Sequence, residues 1–163
     1  DLLSRHGLPA SALELEITES SAMLDPESSL RVLADLHDAG ITLAVDDYGT
    51  GHSSLAYLSR LPVDQLKIDR SFVMSMLDDD KDEAIVRSTI DLGRQLGLEV
   101  VAEGVECADA YARLRDLGCD AAQGYWLARP APDDTVVATV TELRTRLDRT
   151  AGTSTAEPVV HQA

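Results

Sequence analysis

Short apolar runs alternate with longer amphipathic stretches along this chain, the period switching from two residues to about 3.6 and back. Leu13 to Ile17, Ile41 to Val45, Val63 to Ile68 and Leu98 to Ala102 read as strands, with Cys119 to Ala122 a short, weak fifth. Leu2 to Pro9 reads as the tail of a helix and a connection into the first strand. Asp25 stands as an N-cap with Pro26 at the first helical position, Leu30, Leu33, Ala34 and Leu36 form the apolar stripe, and Gly40 closes that helix. A short helix is expected around Ser54 to Arg60, ahead of Pro62. Asp80 or Asp82 caps a longer one that carries Ile85, Val86, Ile90, Leu92 and Leu96 and ends at Gly97. Two more follow, Ala108 to Leu117 and Asp133 to Arg149. The expected organisation is one domain over residues 1–149 and a disordered tail over 150–163, where apolar period is absent.

Parity within the strands separates two faces. Leu13, Leu15 and Ile17, then Ile41, Leu43 and Val45, then Leu66 and Ile68, then Leu98, Val100 and Ala102 make one apolar face that should lie under the helices. Glu14 and Glu16, Thr42, Ala44 and Asp46, Gln65, Lys67 and Asp69, and Glu99, Val101 and Glu103 make the other, with its charge gathered toward the C-terminal strand ends. A doubly wound sheet buries both faces and favours continuous apolar runs. One apolar face with polar groups at the C-terminal rim fits a (β/α)8 TIM-type barrel, whose active site sits on that rim. Such a barrel has eight strands and roughly 250 residues, so five strands predict an incomplete one; an open flavodoxin-type sheet is the alternative.

Charge narrows the chemistry. Against 29 acidic residues stand 14 basic ones, a formal net charge of −15. Such a surface repels DNA, RNA and anionic membranes, and an anionic substrate needs a local basic group or bound metal. Cys107 and Cys119 lie too far apart for a zinc pair and read as buried free thiols, and the four histidines form no ligand spacing. No apolar run approaches the ~18 residues of a membrane span, and a cytoplasmic location is the expectation.

The strand ends carry Glu16, then Asp46-Asp47, then Lys67 and Asp69, then Glu103 with Glu106, then Gln123. Carboxylates converging on one rim repel each other unless cations intervene. Oxygen ligands without histidine select Mg²⁺ or Mn²⁺, and two such ions would make a phosphoryl-transfer site. An acidic turn that merely caps a helix is the competing reading of Asp46 to Ser54. Lys67 either pairs with Asp69 or is oriented by the acids to hold a water or a phosphate oxygen; among carboxylates it keeps its proton. Tyr125 and Trp126 could stack a nucleobase or pack in the core.

In this order, the motifs resemble those of the EAL-domain family of cyclic di-GMP phosphodiesterases. Glu16-Ile17-Thr18-Glu19 resembles its E-x-T-E segment, and Asp46 to Ser54 its D-D-F-G-T-G-Y-S-S loop, with Tyr48 for Phe and His52 for Tyr. Leu66 to Asp69 matches L-K-I-D, Ala102 to Glu106 matches A-E-G-V-E, and Gln123 to Tyr125 matches Q-G-Y. The resemblance covers about the C-terminal two-thirds of the domain. The E-A-L segment, with its Glu ligand, and a following Asn ligand are expected before Asp1.

The resemblance implies metal-assisted hydrolysis of cyclic di-GMP to linear pGpG with two Mg²⁺ or Mn²⁺ ions. Glu16 and Asp46 would bind metal, Asp46 bridging; Asp47 and Asp69 would serve the second ion. Glu103 would bind metal or position the attacking water, and Lys67 would hold that water. Glu106 and Gln123 would support the ligands. Glu19 would pin the loop that begins with Tyr48, Gly49, Thr50, Gly51, His52 and Ser53 and couples substrate, metal and dimerisation. A homodimer in the complete domain and N-terminal sensor or cyclase domains in a parent chain, itself able to be membrane-anchored, are implied partners. This segment alone is expected to turn over substrate weakly or not at all and to aggregate. A non-catalytic cyclic di-GMP receptor and a receiver-like phosphoacceptor are the alternatives.

Overall fold

The computed structural model describes residues 2–18, 21, 24–49 and 55–152 and divides into two units, Asp1–Trp126 and Leu127–Ala163. In the first, β1 (Glu14–Thr18), β2 (Thr42–Tyr48), β3 (Gln65–Ile68), β4 (Glu99–Ala102) and β5 (Ala121–Ala122) form one parallel sheet in the order β1-β2-β3-β4-β5. Its helices are α1 (Leu2–Arg5), α2 (Pro26–Asp38), α3 (Leu55–Leu58), α4 (Arg70–Ser75), α5 (Asp80–Leu96) and α6 (Ala108–Leu117). Each strand lies beside its immediate predecessor, so right-handed crossovers collect the helices on one side. Doubly wound sheets reverse strand order at a switch point. None occurs among the described residues, which overturns the flavodoxin-type and receiver-like alternatives in favour of a barrel-type sheet.

Parity holds where the core forms. Leu43, Val45, Leu66, Ile68, Val100 and Ala102 are all at most 1% exposed. Ile68, Val100 and Ala102 pack with Val73, Val86, Ile90 and Leu114 from the helices, while Leu43, Val45 and Leu66 pack with Leu33, Leu58 and Val63. Each such aliphatic side chain contributes about 1.5–3 kcal/mol by leaving water. Two carboxylates lock the strands at their N-terminal ends. Asp64, just before β3, accepts the Leu43 N–H of β2 at 2.9 Å, and Asp120, just before β5, accepts the Val100 N–H of β4 at 2.9 Å.

Several boundaries differ from the sequence expectation. β2 continues past Val45 through Asp46 and Asp47 to Tyr48, because a bulge lets pairing with β3 resume at Tyr48. Asp25 caps α2 as expected, accepting the Ser28 N–H. The cap of α5 is Asp79 rather than Asp80 or Asp82, which fall in its first turn and face the positive end of its dipole. α4 was not foreseen; six residues are too few for a legible period, and Asp69 caps it. Cys119 is largely buried and its thiol is pushed up to about 11 by burial, but Cys107 is exposed at the start of α6, not in the core. Trp126 packs on Tyr111 with ring centroids 4.8 Å apart, the core alternative, while Tyr125 is exposed.

In the second unit a 3-10 turn, Asp133–Thr135, precedes α7 (Val136–Gly152), and Arg146 donates to the Leu127 carbonyl at 2.8 Å. The helix expected over Asp133 to Arg149 thus starts later, after Pro130 and Pro132, and runs three residues into the segment expected to be a tail. Residues 153–163 of that segment lie outside the described residues.

Two rim loops are joined by backbone. Val105 N–H donates to Gln123 O at 3.0 Å and Trp126 N–H to Val105 O at 3.0 Å, so Gly104-Val105 and Gln123-Gly124 lie in contact. A Cβ on Gly124 would stand 2.2 Å from Val105 O and 2.3 Å from its N, both rigid backbone. Gly124→Ala should therefore destabilise the fold by about 2 kcal/mol and open the Val105 and Trp126 amides to hydrogen exchange. A urea midpoint equal to wild type would contradict this packing.

Candidate active site

Lys67 organises the rim. It sits on β3, 4% exposed, one position from the rim end of the sheet. Its ammonium donates to Glu16 on β1 and lies 2.6 Å from Glu103 Oε1 and 3.9 Å from Asp46 Oδ1 on β2. Burial alone would lower its pKa, but the hydrogen bonds to Glu103 and Glu16, with the charges of Glu103 and Asp46, outweigh that and raise it. Lys67 is accordingly an ammonium at any physiological pH. The alternative pairing with Asp69 is not what forms.

The second cluster depends on backbone. Between Val45↔Leu66 and Tyr48↔Ile68 the bulge puts Asp46 and Asp47 opposite the single residue Lys67. Asp47 has φ 55, the left-handed region that Asp adopts more readily than most residues, and its N–H donates to Asp46 Oδ1 at 2.9 Å. The extra residue turns both carboxylates to the polar face and returns Tyr48 to the core at 7% exposure. The strand itself therefore brings Asp47 round.

Asp47 meets Asp69. Burial, the charges of Asp46 and Asp69 and a hydrogen bond with Asp69 raise the Asp47 pKa, which Lys67 only partly offsets. Burial would also raise Asp69, but the Ser71 hydroxyl and N–H, Asp47 and the Arg70 N–H hold it below the usual carboxylate range. The two carboxylates are thus shifted in opposite directions, Asp47 being the harder of the pair to ionise and Asp69 the easier. Ser71 was not singled out from sequence. An N-cap Asp two residues ahead of a Ser is its signal, and α4 was too short to reveal it.

Glu16, Asp46, Lys67 and Glu103 thus converge, and Asp47 and Asp69 pair beside them. Glu106 and Gln123 are exposed, their side chains without a hydrogen bond among the described residues. Gly49 ends β2 with φ 99. Glu19, Thr50, Gly51, His52 and Ser53 lie outside the described residues. A groove of about 950 Å³ opens on the helix side, lined by Tyr48, Gly49, Leu55, Ile85, Thr89 and Leu92 among others, and none of the rim carboxylates lines it.

Five carboxylates offer only oxygen donors, the chemistry of a hard divalent cation. Among the described residues no three acidic, His or Cys side chains stand in ready metal-holding geometry. The Lys67 ammonium lies amid one set, and Asp47 and Asp69 make up the other. The donor set fits such an ion nonetheless: a pair that is costly to ionise together is relieved by a cation as well as by a proton.

With this geometry established, comparison with known proteins gives a consistent result. The family model described as EAL domain matches residues 1–130. The bifunctional diguanylate cyclase/cyclic di-GMP phosphodiesterase MucR of Pseudomonas aeruginosa is 48% identical over 138 residues, which are 85% of this chain and 20% of MucR. A solved structure of the MucR phosphodiesterase in complex with c-di-GMP superposes with a TM-score of 0.79 at 48% identity, over 82% of this chain and 54% of that one. Klebsiella pneumoniae BlrP1, solved as a manganese/cy-diGMP complex, gives 0.74 at 34% identity, over 79% and 33%. The chain spans 17–20% of the length of the first curated relatives it matches.

Two outcomes follow from the charges. Because Asp47 is harder to ionise folded than unfolded, its ionisation costs stability as pH rises through its folded value. Asp47→Asn, which tolerates the same φ, should raise the thermal midpoint at pH 7 in the absence of divalent ions, and the gain should vanish in acid where Asp47 is neutral in both states. Lys67→Met leaves three acids without their cation and should cost about 2 kcal/mol at pH 7, less than a fully buried pair because Glu16 is half-exposed. In wild type the Lys67 contribution is complete below its unfolded value of about 10.4 and is lost only as pH rises through the higher folded one. Denaturation across pH measures both.

Proposed function

From the premise that this chain belongs to the EAL-domain family, we propose that it is the rim-bearing part of a cyclic di-GMP phosphodiesterase in a longer bacterial signalling protein. The observation that carries this is the rim itself: Glu16, Asp46 and Glu103 gathered on Lys67, with Asp47 and Asp69 adjacent. Relatives named as cyclic di-GMP phosphodiesterases, and the divalent-metal complex of a structural neighbour, support the same reading.

Glu16, Asp46, Asp47, Asp69 and Glu103 would hold two divalent ions, Mg²⁺ or Mn²⁺. Bound there, the ions would supply Lewis-acid stabilisation of a phosphoryl oxygen and a more acidic water. Lys67, locked as an ammonium, donates hydrogen bonds and cannot serve as a base; it orients the water or a phosphoryl oxygen, and holds the Glu103 carboxylate toward it. Glu103 takes the proton of the attacking water. One water is added and one P–O bond breaks, giving linear pGpG. Glu106 and Gln123 would support this set, and Glu19 would pin the loop over Thr50 to Ser53. The parent protein would act at the cytoplasmic side, as a dimer, under the control of sensor or cyclase domains. No helix among the described residues is long and apolar enough to cross a membrane.

Purified protein carrying this segment should convert cyclic di-GMP to pGpG with Mg²⁺ or Mn²⁺ and lose the activity in chelator. Glu103→Gln should lower kcat at least about a hundredfold, the range of general-base removal, with nucleotide binding retained. Binding without any turnover in wild type would instead identify a receptor.

A further inference from the structure

The stretches that follow the five strands up to Trp126 carry no lysine or arginine before the next helix begins, and Arg70, the first residue of α4, is the basic residue that follows a strand end most closely. Its position is set by both neighbours. The Arg70 N–H bonds the Asp69 carboxylate, and its Cβ lies against Gly104, where an added Cβ would be 2.5 Å away. Gly104, with φ 70, thus makes room for the root of the Arg70 side chain beside the turn that follows Glu103. Arg87, Arg94, Arg113 and Arg115 are each ion-paired with an acid. Arg70 is exposed and makes no ion pair among the described residues, although Asp69 stands directly before it.

Charge says what this cation faces. Glu16, Asp46, Asp47, Asp69 and Glu103 against Lys67 leave four net negative charges, which two divalent ions would neutralise. The two phosphodiester charges of a cyclic dinucleotide are then unmatched. Long-range repulsion from a chain of net charge −15 adds to that deficit. A solvated surface arginine is the competing reading; what separates Arg70 from the other exposed arginines without an ion pair among the described residues, Arg5, Arg31 and Arg60, is its place directly after Asp69 and against the turn that follows Glu103.

We propose that Arg70 is a substrate-binding residue that contacts a phosphodiester oxygen of the cyclic dinucleotide at the rim. This rests on the phosphodiesterase reading above and adds to it a residue for which no metal or proton-transfer role is needed. Arg70 forms a charge-assisted, fork-shaped contact with the phosphate. It changes affinity and leaves the metal ligands untouched, since Asp69 keeps its backbone hydrogen bond in any variant except proline.

The test compares wild type, Arg70→Ala, Arg70→Lys and Arg70→Glu in purified protein carrying this segment. Cyclic di-GMP binding is measured by calorimetry in Ca²⁺ at several salt concentrations, and hydrolysis in Mn²⁺. Arg70→Ala should weaken binding and raise KM about tenfold, the scale of one hydrogen bond to a charged group, while kcat changes less than threefold. Affinity should fall less steeply with salt in Arg70→Ala than in wild type, because one screened charge contact is gone. Arg70→Lys should recover part of the affinity, Arg70→Glu should lose more, and the Mn²⁺ midpoint for activation should stay at the wild-type value. Equal affinity and equal salt slope for wild type and Arg70→Ala would overturn the proposal alone. Wild type that neither binds nor hydrolyses cyclic di-GMP would overturn the underlying reading with it.

Discussion

A single buried ammonium holds the working end of this sheet together. Lys67 stands on the middle strand, and its partners come from β1, β2 and the turn after β4, so one side chain ties together segments up to 87 residues apart in sequence. Without it, Glu16, Asp46 and Glu103 would be driven apart by their own charge. Its cost is the desolvation of the ammonium, and the three acids offset it. The same arrangement removes Lys67 from use as a base. Chemistry at this rim must draw its base from the carboxylates or from water on a cation.

The bulge in β2 is the second constraint. Regular pairing would point Asp46 and Asp47 to opposite faces, sending one carboxylate into the core. One extra residue, with Asp47 in the left-handed region, puts both on the polar face and keeps Tyr48 inside. The strain is local and is held by the ladder on either side. Two carboxylates that resist joint ionisation are the result, Asp47 made harder to ionise by burial and its acidic neighbours and Asp69 made easier by Ser71.

Much of this was legible in the chain. Parity alone put Glu16, Asp46, Lys67 and Glu103 on one face and Leu43, Val45, Leu66 and Val100 on the other, because side chains alternate in a strand whatever its neighbours are. Asp25 with Pro26, and Gly97 after its helix, marked ends through local backbone chemistry that needs no tertiary contact. α4 was missed because six residues cannot show a period, and Asp79 was passed over among three adjacent aspartates that look alike in sequence.

What the sequence by itself determined is therefore the alternation of strands and helices, the apolar and polar faces, and the collection of acids at the strand ends, since each follows from local periodicity. Tertiary structure alone decided three things. Lys67 pairs across strands with Glu16 and Glu103 rather than along its own strand with Asp69, because the parallel register brings those carboxylates within reach of its ammonium. Asp47 is turned by a bulge whose existence depends on where β3 resumes pairing. The order of strands, each beside its predecessor, separates a barrel-type sheet from a doubly wound one, and crossover connections of similar length are compatible with either until the strands are paired.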